Sequence, residues 1–386
     1  MALPLKYNFR NLWVRRVSTL MTIGGIALVV AVFIIVSSLA HGLTASYVRT
    51  GDPLTVLVMR QGATSELESF ISRENAEALR NLEGVAREAG EPLASGEHFI
   101  LVVAPRKEGG SANLAVRGVG TAGFKMRPYV RMVEGRPFRT GVPELVVSRN
   151  IAQRFANTAP GQKLELGKRA FEVVGVFETG GTAYDSEVWG DADVVGETLR
   201  RRGGFSTIRL RAADAPAVER LRSTIEGDRS FTAQALSEVA YYEKQTGSAR
   251  PIMIIGIVVS VFLGVGAIFG AMNTLYAAVA SRVREIATLR AVGFSRLAVV
   301  TAFVVEALFL ALAGGALGCL IALPFNGIAT GTINWQTFSE AAFAFEVTPL
   351  LLGIGVLFAL FMGVVGGLTP ALRAARRPVA AALREL

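Results

Sequence analysis

Residues 17–40 read VSTLMTIGGIALVVAVFIIVSSLA and contain no charged side chain over 24 positions. A helix rises about 1.5 Å per residue, so this run exceeds the roughly 20 residues that cross about 30 Å of hydrocarbon. Three further apolar runs follow at 251–280, 297–323 and 348–370, and their one charged residue is Glu306. Backbone polar groups in lipid must bond within their own segment, so the four runs predict four transmembrane helices.

Composition narrows the class of protein before any motif is considered. Of 386 residues, 51% are hydrophobic and 18% are charged, and the mean hydropathy is +0.43. Ordinary soluble domains hold about 25% charged residues, so these values argue against a disordered chain and against a simple soluble enzyme. The chain has one cysteine, Cys319, and two histidines, His41 and His98. This excludes an intrachain disulfide or a cysteine metal cluster and argues against a histidine-rich metal site.

The net charge of +9 is concentrated beside the apolar runs. Residues 1–16, 277–297 and 371–386 hold 12 of the 40 Lys and Arg side chains and two acids, whereas residues 298–370 hold no Lys or Arg. Four spans place both termini and all three basic segments on one side of the membrane, and the positive-inside rule makes that side cytoplasmic. Membrane orientation therefore explains the basic excess, and nucleic acid is not a predicted partner.

The short segments around the spans complete the predicted layout. Residues 1–16 are predicted to form a cytoplasmic interfacial helix, with a plain extension of the first span as the alternative. Its apolar residues share one helical face: Leu5, Phe9, Leu12 and Trp13. The first run is longer than the roughly 7–15-residue core of a signal peptide, which favours a retained span. The remaining segments are a cytoplasmic coupling loop at 281–296, a short extracytoplasmic loop at 324–347 and a cytoplasmic tail at 371–386.

Residues 41–250 form one large extracytoplasmic insertion between the first and second spans. Their charges nearly balance, with 28 Lys and Arg against 26 acids, and strand-like and helix-like segments alternate. Gly and Pro residues predict a central β-rich subdomain at about 93–195. The predicted fold class is thus a membrane α-helical protein with four transmembrane helices, arranged 1+3, and a large α+β extracytoplasmic domain between the first and second helices.

The sequence contains no recognisable catalytic constellation. The motifs G-x-S-x-G, H-E-x-x-H, C-x-x-C and the phosphate-binding G-x-x-x-x-G-K-[ST] do not occur. Four acids lie within nine residues, for which a solvated loop is favoured over a weak cation site: Asp185, Glu187, Asp191 and Asp193. His98 is interpreted as an ordinary strand-edge residue. We therefore predict that the chain is not an enzyme and holds no metal or cofactor of its own.

The loop after the second apolar run carries the most specific pattern in the chain. It reads SRVREIATLRAVG at 281–293 and follows GAMN at 270–273. This pattern resembles the FtsX-like permease family, which includes MacB, LolC/LolE and FtsX and is also called the type VII ABC transporters. GRPF at 135–138 and FEVVGV at 171–176 are similar to the MacB-like periplasmic domain of that family, and PALRAAR at 370–376 is similar to its C-terminal motif. The resemblance covers essentially the whole chain.

The resemblance implies a permease subunit of an ATP-driven MacB/LolCDE-type ABC transporter in the bacterial inner membrane. Sixteen residues precede the first span, so the ABC ATPase, with its ATP and Mg²⁺, is expected on a separate subunit. The permease is expected to pair with a second copy or a paralogue, in contact with membrane lipid. ATP hydrolysis would drive periplasmic conformational work that exports or extracts a substrate, and a periplasmic adaptor (for efflux) or chaperone (for lipoprotein release) is a further implied partner. The alternative is an FtsX-like mechanotransmitter that activates an extracytoplasmic cell-wall hydrolase without transport.

The coupling loop supplies the predicted contact with the ATPase. Val283, Ile286 and Leu289 follow a helical period and are expected to fill a groove of the ATPase, although a helix resting on lipid headgroups shows the same period. Gly293 is placed to cap this helix. The predicted coupling residues are Arg282, Val283, Arg284, Glu285, Ile286, Leu289 and Arg290.

Polar and small residues within the spans give two further expectations. Asn273 and Glu306 are the predicted intramembrane polar residues, and Glu306 is interpreted as a structural contact near the coupling helix in preference to a proton relay. Three pairs of glycines have the spacing that lets helices approach closely: Gly266/Gly270, Gly314/Gly318 and Gly363/Gly367. Glycine is also frequent in transmembrane helices for other reasons, and both interpretations stay open.

Overall fold

The computed structural model describes residues 16–334 and 337–376, and the chain forms two compact units. The membrane unit comprises residues 16–40, 251–327 and 345–376 of this range. The inserted unit comprises His41–Arg250 and Ile328–Ala344, apart from 335–336. Residues 1–15 of the predicted interfacial helix and residues 377–386 of the predicted tail lie outside the described residues.

Helices provide all the candidate membrane spans. In chain order the described helices are α1 (Arg16–Thr50), α2 (Arg73–Arg80), α3 (Arg149–Arg154), α4 (Ala192–Thr198), α5 (Ala215–Gly227), α6 (Glu238–Gln245), α7 (Arg250–Ala280), α8 (Val283–Ala291), α9 (Arg296–Ala322) and α10 (Pro349–Arg376). Within the described residues, α1, α7, α9 and α10 contain the four segments that are long and apolar enough to cross a membrane. These four helices, with a large α/β domain inserted after the first, confirm the predicted fold class.

Helix α10 reaches further than the predicted span at 348–370. It continues through Pro370 to Arg376, although a proline within a helix removes a hydrogen bond and crowds the preceding turn. Ala371, Ala374 and Ala375 are buried in one apolar cluster with Ile286 and Phe303, and this packing holds the last turns in helical form. The predicted tail at 371–386 therefore begins as the end of this helix.

Glycines bring the spans of the membrane unit close together. A Cβ added to Gly318 would lie 2.7 Å from the carbonyl oxygen of Ala27 on α1. A Cβ added to Gly363 would lie 2.5 Å from Ala311 on α9, and Gly314 and Gly367 are similarly crowded. Around the Cβ positions of Gly266 and Gly270, by contrast, the described part of the chain leaves open space. Two of the three glycine pairs are thus used for packing within this unit, and the pair on α7 is not.

The inserted unit is built around one large sheet. The strands are β1 (Thr55–Arg60), β2 (Ile71–Ser72), β3 (Arg87–Glu88), β4 (Glu91–Pro92), β5 (Ala94–Pro105), β6 (Ser111–Val119), β7 (Arg131–Gly135), β8 (Glu144–Ser148), β9 (Lys163–Leu166), β10 (Arg169–Glu178), β11 (Glu187–Asp191), β12 (Gly204–Phe205), β13 (Thr207–Arg211), β14 (Ala233–Ser237), β15 (Ala329–Ile333) and β16 (Glu340–Ala344). Ten of these strands form the sheet, in the order β14-β1-β13-β5-β6-β11-β8-β10-β7, with β9 also paired to β10. Alternating apolar residues on these strands bury one face against helices.

Two hydrophobic cores divide the inserted unit into subdomains. The first core lies under α2 and α5 and includes Val56, Ile208 and Leu221. The second lies under α3 and α4 and includes Val147 and Val188. Strand β5 joins the two subdomains, because its first residues pair with β13 and the rest pair with β6. The second core occupies the middle of the insertion, where the β-rich subdomain is predicted.

The short helices of the inserted unit begin at side-chain caps. In each case a Ser or Asp oxygen accepts a hydrogen bond from the backbone N–H three residues later, which satisfies one of the free donors of the first turn. The caps are Ser72 for α2, Ser148 for α3, Asp191 for α4, Asp214 for α5 and Ser237 for α6.

The segment predicted as a short loop at 324–347 is instead largely structured. Strands β15 and β16 pair as an antiparallel hairpin, and residues 328–344 belong to the inserted unit. Ala341, Ala342 and Phe343 of β16 are buried. The segment is short and rich in small residues, so its apolar alternation is too weak to stand out between two much stronger spans.

Candidate functional site

Helix α8 occupies the predicted coupling loop, and local chemistry fixes where it ends. Gly293 follows it with a φ of +108°, a left-handed conformation that glycine adopts without a Cβ clash. The N–H of Phe294 donates to the carbonyl of Leu289 at 3.1 Å and closes the turn. The predicted helix and its glycine cap are confirmed.

The apolar stripe of α8 faces the chain's own core more than the surroundings. Ile286 is 8% exposed and packs in a cluster with Val299, Phe303 and Ala371. Val283 and Leu289 are half-buried. Ile286 therefore anchors α8 to the membrane unit, and its contact with a groove of a partner stays a prediction.

An ion pair ties the start of α8 to a span. The guanidinium of Arg282 donates to Glu306 Oε2 on α9 at 3.2 Å, and the two side chains are 10% and 5% exposed. A carboxylate within a span is costly unless it is paired, so Arg282 stabilises Glu306 where it lies. This geometry agrees with the interpretation of Glu306 as a structural contact near the coupling helix. Asn273, the other predicted polar residue, lies on the exposed surface of α7.

A second contact ties the end of α8 to a different span. Arg290 NH1 donates to the backbone carbonyl of Ala375 in the last turn of α10, at 2.7 Å. Carbonyl groups at the end of a helix lack helical partners and carry partial negative charge, so a cation there is stabilising. Helix α8 is thus attached to α9 at one end and to α10 at the other.

The opposite face of α8 remains open to solvent. Arg284, Glu285 and Thr288 are exposed, and Val292 just beyond the helix is 75% exposed. Their spacing places them along one side of the helix. This face presents both charges and one apolar side chain, which suits a protein surface of complementary charge.

The inserted unit contains a buried charge network at the junction of its two subdomains. The network consists of Glu66, Glu97, Arg117, Arg127, Glu187, Arg209 and Glu238, each at most 5% exposed. Arg117 bonds to Glu66 and Glu187 at 2.7 Å each, and Arg209 bonds to Glu97 at 2.9 Å and pairs with Glu238. Burial of charge is expensive unless each group is paired, and here every member has a partner. Burial alone raises the pKa of Glu66, but Arg117 and Arg209 outweigh it and hold the pKa below its usual value.

Sequence reasoning missed this network. Arg117 and Arg209 stand within the apolar stretches LAVRGV and TIRLR, where an arginine is flanked by strand-forming residues. A charge inside such a strand is a usable signal, because a neighbour of opposite charge is then required. The identity of that neighbour, however, depends on strand pairings that are distant in sequence.

The acidic cluster predicted as a solvated loop is mostly buried and has structural roles. Asp185 accepts hydrogen bonds from the N–H groups of Thr179 and Gly181, each at 2.8 Å. Glu187 belongs to the charge network, Asp191 caps α4 and Asp193 pairs with Arg73. Within residues 16–334 and 337–376 there is no group of three or more His, Cys, Asp and Glu side chains placed to hold a metal ion.

His98 is also an interior residue and not a strand-edge residue. It is 1% exposed, and its ring lies 5.4 Å from that of Phe205. Neither ring nitrogen has a hydrogen-bond partner among the described residues. Burial, followed by the nearby charges of Arg201 and Arg73, lowers the pKa of His98 to about 4.

Four spans in a 1+3 arrangement, a two-core α/β insertion after the first span and a short helix between the second and third spans define a class of multi-pass membrane proteins. Two family models match the chain: "MacB-like periplasmic core domain" over residues 19–227 and "FtsX-like permease C-terminal" over residues 257–379. The chain belongs to this family of FtsX-like permeases with a MacB-like periplasmic core domain. With its four apolar helices, it is a multi-pass protein of the bacterial inner membrane.

Individual relatives are distant. The chain is 25% identical to the "Pyoverdine export ATP-binding/permease protein PvdT" of Pseudomonas entomophila, over 96% of this chain and 58% of that protein. It is 24% identical to the "Uncharacterized ABC transporter permease YknZ" of Bacillus subtilis, over 82% of this chain and 80% of that protein. Among solved structures, the periplasmic region of MacB from Actinobacillus actinomycetemcomitans aligns with a TM-score of 0.38 at 14% identity, over 50% of this chain and 92% of that one. The chain spans about half the length of several curated relatives that it matches.

Proposed function

We propose that this chain is the permease subunit of an ATP-driven ABC transporter and that α8 is its contact with a separate ABC ATPase. The ATPase holds the ATP and Mg²⁺, and its cycle displaces α8 together with the spans attached to it. The inserted unit then performs the work on the periplasmic side, where a substrate is exported or extracted.

The two-ended attachment of α8 is the observation that carries this proposal. Arg282 joins the helix to α9 and Arg290 joins it to α10, while the face with Glu285 stays exposed. A partner that binds the exposed face and moves therefore displaces two spans at once. A helix that merely rests on headgroups has no need of polar anchors at both ends.

The names of the relatives support the same class. PvdT is described as an export ATP-binding/permease protein and YknZ as an ABC transporter permease. We take the arrangement with a separate ATPase because the match to YknZ covers 80% of a protein that is named as a permease alone.

The proposal includes the orientation and the oligomer. The basic segments support an orientation in which both termini and α8 lie in the cytoplasm. A second permease copy or a paralogue completes the transporter, and a periplasmic adaptor or chaperone is a further partner. Helix α7 has the least buried apolar segment of the four, with Phe262 75% exposed, so it is available to lipid or to the second permease.

A charge reversal on the exposed face of α8 tests the proposal. Glu285→Arg leaves every contact of α8 with α9 and α10 in place, so the variant should be produced and inserted like the wild type. Losing one partner of a buried interfacial pair costs about 2–5 kcal/mol, so ATPase binding should weaken by about 30-fold or more. The measurement is the amount of ATPase that co-purifies with the tagged permease, together with the ATP hydrolysis rate of the complex.

Arg200→Ala in the inserted unit is the control, because Arg200 is remote in sequence from α8 and lies outside the membrane unit. If Glu285→Arg and a second variant on the same face, Thr288→Asp, both bind and stimulate the ATPase like the wild type, α8 is a connector resting on headgroups and the assigned coupling is wrong.

A further inference from the structure

The segment between α9 and α10 is more than a connection between two spans. We call residues 328–344, apart from 335–336, the strap. It contains β15 and β16 and belongs to the inserted unit, whereas the residues on either side of it belong to the membrane unit. The strap is therefore a further covalent link between the units, in addition to α1 and the α6–α7 segment.

The connections between the strap and the two neighbouring spans are short. Helix α9 is followed by one short turn at Leu323–Phe325 before β15 begins at Ala329, and β16 ends at Ala344, close to the start of α10 at Pro349. The N–H of Gly327 donates to the carbonyl of Phe345 at 2.9 Å, and the N–H of Val347 donates to Asn326 Oδ1 at 2.9 Å. These bonds hold together the segment that leads from α9 into the strap and the segment that leads from the strap into α10.

One attachment of the strap is an ion-pair cluster around Glu340. Glu340 is 4% exposed, and its carboxylate pairs with Arg106 at 2.6 Å and with Arg154. Arg106 follows β5, and Arg154 ends α3, so both arginines belong to the subdomain with the second core. Ser186 of the same subdomain also accepts a hydrogen bond from the N–H of Ala342 in β16, at 2.6 Å.

A second attachment joins the strap to the helices at the ends of the insertion. The side-chain amide of Asn334 donates to Tyr47 Oη at 2.7 Å and to Gln245 Oε1 at 3.3 Å. Tyr47 lies near the end of α1, and Gln245 is the last residue of α6, just before α7. The strap thus holds these two helix ends on one side and the second-core subdomain on the other.

From this placement we infer that the strap transmits the movement of α9 and α10 to the inserted unit, with Glu340 as its principal positioning residue. The inference rests on the proposed function, because it assumes that ATP hydrolysis moves these spans. A displacement of α9 and α10 that passes along these short connections either carries the strap and the second-core subdomain with it or breaks the pairs of Glu340 with Arg106 and Arg154. Glu340 is 4% exposed while the Arg106 and Arg154 side chains are 38% and 27% exposed, so breaking the pairs would leave a buried carboxylate without its partners, which favours the first outcome.

The labelling rate of an introduced cysteine reports whether the strap is docked. Ser339 is 7% exposed and lies beside Glu340, so Ser339→Cys in a Cys319→Ser background places one buried thiol in the strap. The test uses the full-length permease with its ATPase in lipid nanodiscs. The labelling rate of this thiol by a water-soluble maleimide is measured without nucleotide and with ATP plus vanadate.

The test variants change the charges around Glu340 in a matched way. Glu340→Arg brings three guanidinium groups together at a partly buried position, whereas Glu340→Arg with Arg154→Glu restores two arginines and one carboxylate. Glu340→Gln removes the charge with little change of shape and serves if the reversal does not fold. Glu197→Arg is the control, because its pair with Arg202 is exposed and belongs to the same unit.

We expect Glu340→Arg to raise the labelling rate by about 100-fold and to abolish its dependence on ATP, while the ATPase still co-purifies. The double variant should restore both properties, and Glu197→Arg should match the wild type. Unchanged labelling in Glu340→Arg and Glu340→Gln would show that Glu340 does not hold the strap. Faster labelling that still responds to ATP like the wild type would make the pair purely structural and overturn the inference. If the wild type itself binds no ATPase, the proposed function fails, and the nucleotide-free labelling rates still decide whether Glu340 docks the strap.

Discussion

The membrane unit and the inserted unit stabilise their interiors in different ways. In the membrane unit, spans meet at Gly318 and Gly363, where backbones approach too closely for a side chain. In the inserted unit, three arginines and four glutamates are buried at the junction of two apolar cores. Lipid offers helices no hydrophobic reason to associate, so close packing must supply the attraction. Water does drive burial of the inserted sheet, and that larger gain offsets the cost of placing charges inside.

The largest expected effect comes from breaking the charge network. Arg209→Met removes a guanidinium that bonds to Glu66 and Glu97 and pairs with Glu238, and it leaves buried carboxylates without compensation. Removing one partner from a buried ionic group costs about 3–5 kcal/mol, so the free energy of unfolding of the inserted unit should fall by that amount. Urea unfolding of the detergent-solubilised chain, followed by tryptophan fluorescence, measures this change, because Trp189 donates to Glu187 within the network.

Arg202→Met is the matched control. Arg202 pairs with Glu197 at 2.7 Å, but the two side chains are 75% and 55% exposed. An exposed pair contributes about 0–1 kcal/mol, so this variant should unfold nearly like the wild type. Equal effects of the two substitutions would remove the distinction drawn between buried and exposed charges.

A buried imidazole that has no hydrogen-bond partner among the described residues sharpens the comparison through its pH dependence. His98 has a pKa of about 4 in the folded chain against about 6.5 when unfolded, so the unfolded chain binds the proton more tightly. The stability that depends on neutral His98 is present above pH 6.5 or so and is lost as the pH falls toward 4, by up to roughly 3 kcal/mol. His98→Leu should remove this part of the acid sensitivity.

The measurement is the difference in unfolding free energy between wild type and His98→Leu across the range from neutral pH to about pH 4. The Asp and Glu carboxyl groups titrate in both proteins, so their contributions cancel in the difference. A difference that stays constant with pH would mean that His98 is not buried in its neutral form.

The smallest expected effect comes from the glycines of the membrane unit. Gly363→Ala places a methyl group 2.5 Å from the Ala311 side chain, and such overpacking costs about 1–3 kcal/mol. Gly266→Ala places its methyl group in open space and should be neutral or slightly stabilising, because alanine favours helix more than glycine does. Thermal unfolding in detergent compares the two. The role of close packing would be contradicted if Gly363→Ala were as stable as Gly266→Ala.

Much of the fold follows from sequence because a run of more than 20 apolar residues has few alternatives to a membrane span. The strap does not follow, since its small residues give no strong period between two spans. Arg209 and the exposed Arg202 are chemically the same residue, and only strand pairings remote in sequence decide which one is buried. The coupling helix shows the same limit: its period predicts a helix correctly, but the period does not tell whether Ile286 faces a partner or the chain's own core.

The strap also sets an order of folding. Residues 41–250 are complete before α7, α8 and α9 have been made, but Glu340 follows all three helices along the chain. At about 5–20 residues per second, Arg106 and Arg154 wait for Glu340 on the order of ten seconds. The inserted unit therefore finishes folding only after α9 has been synthesised, and a docked strap marks a chain whose synthesis has passed Glu340.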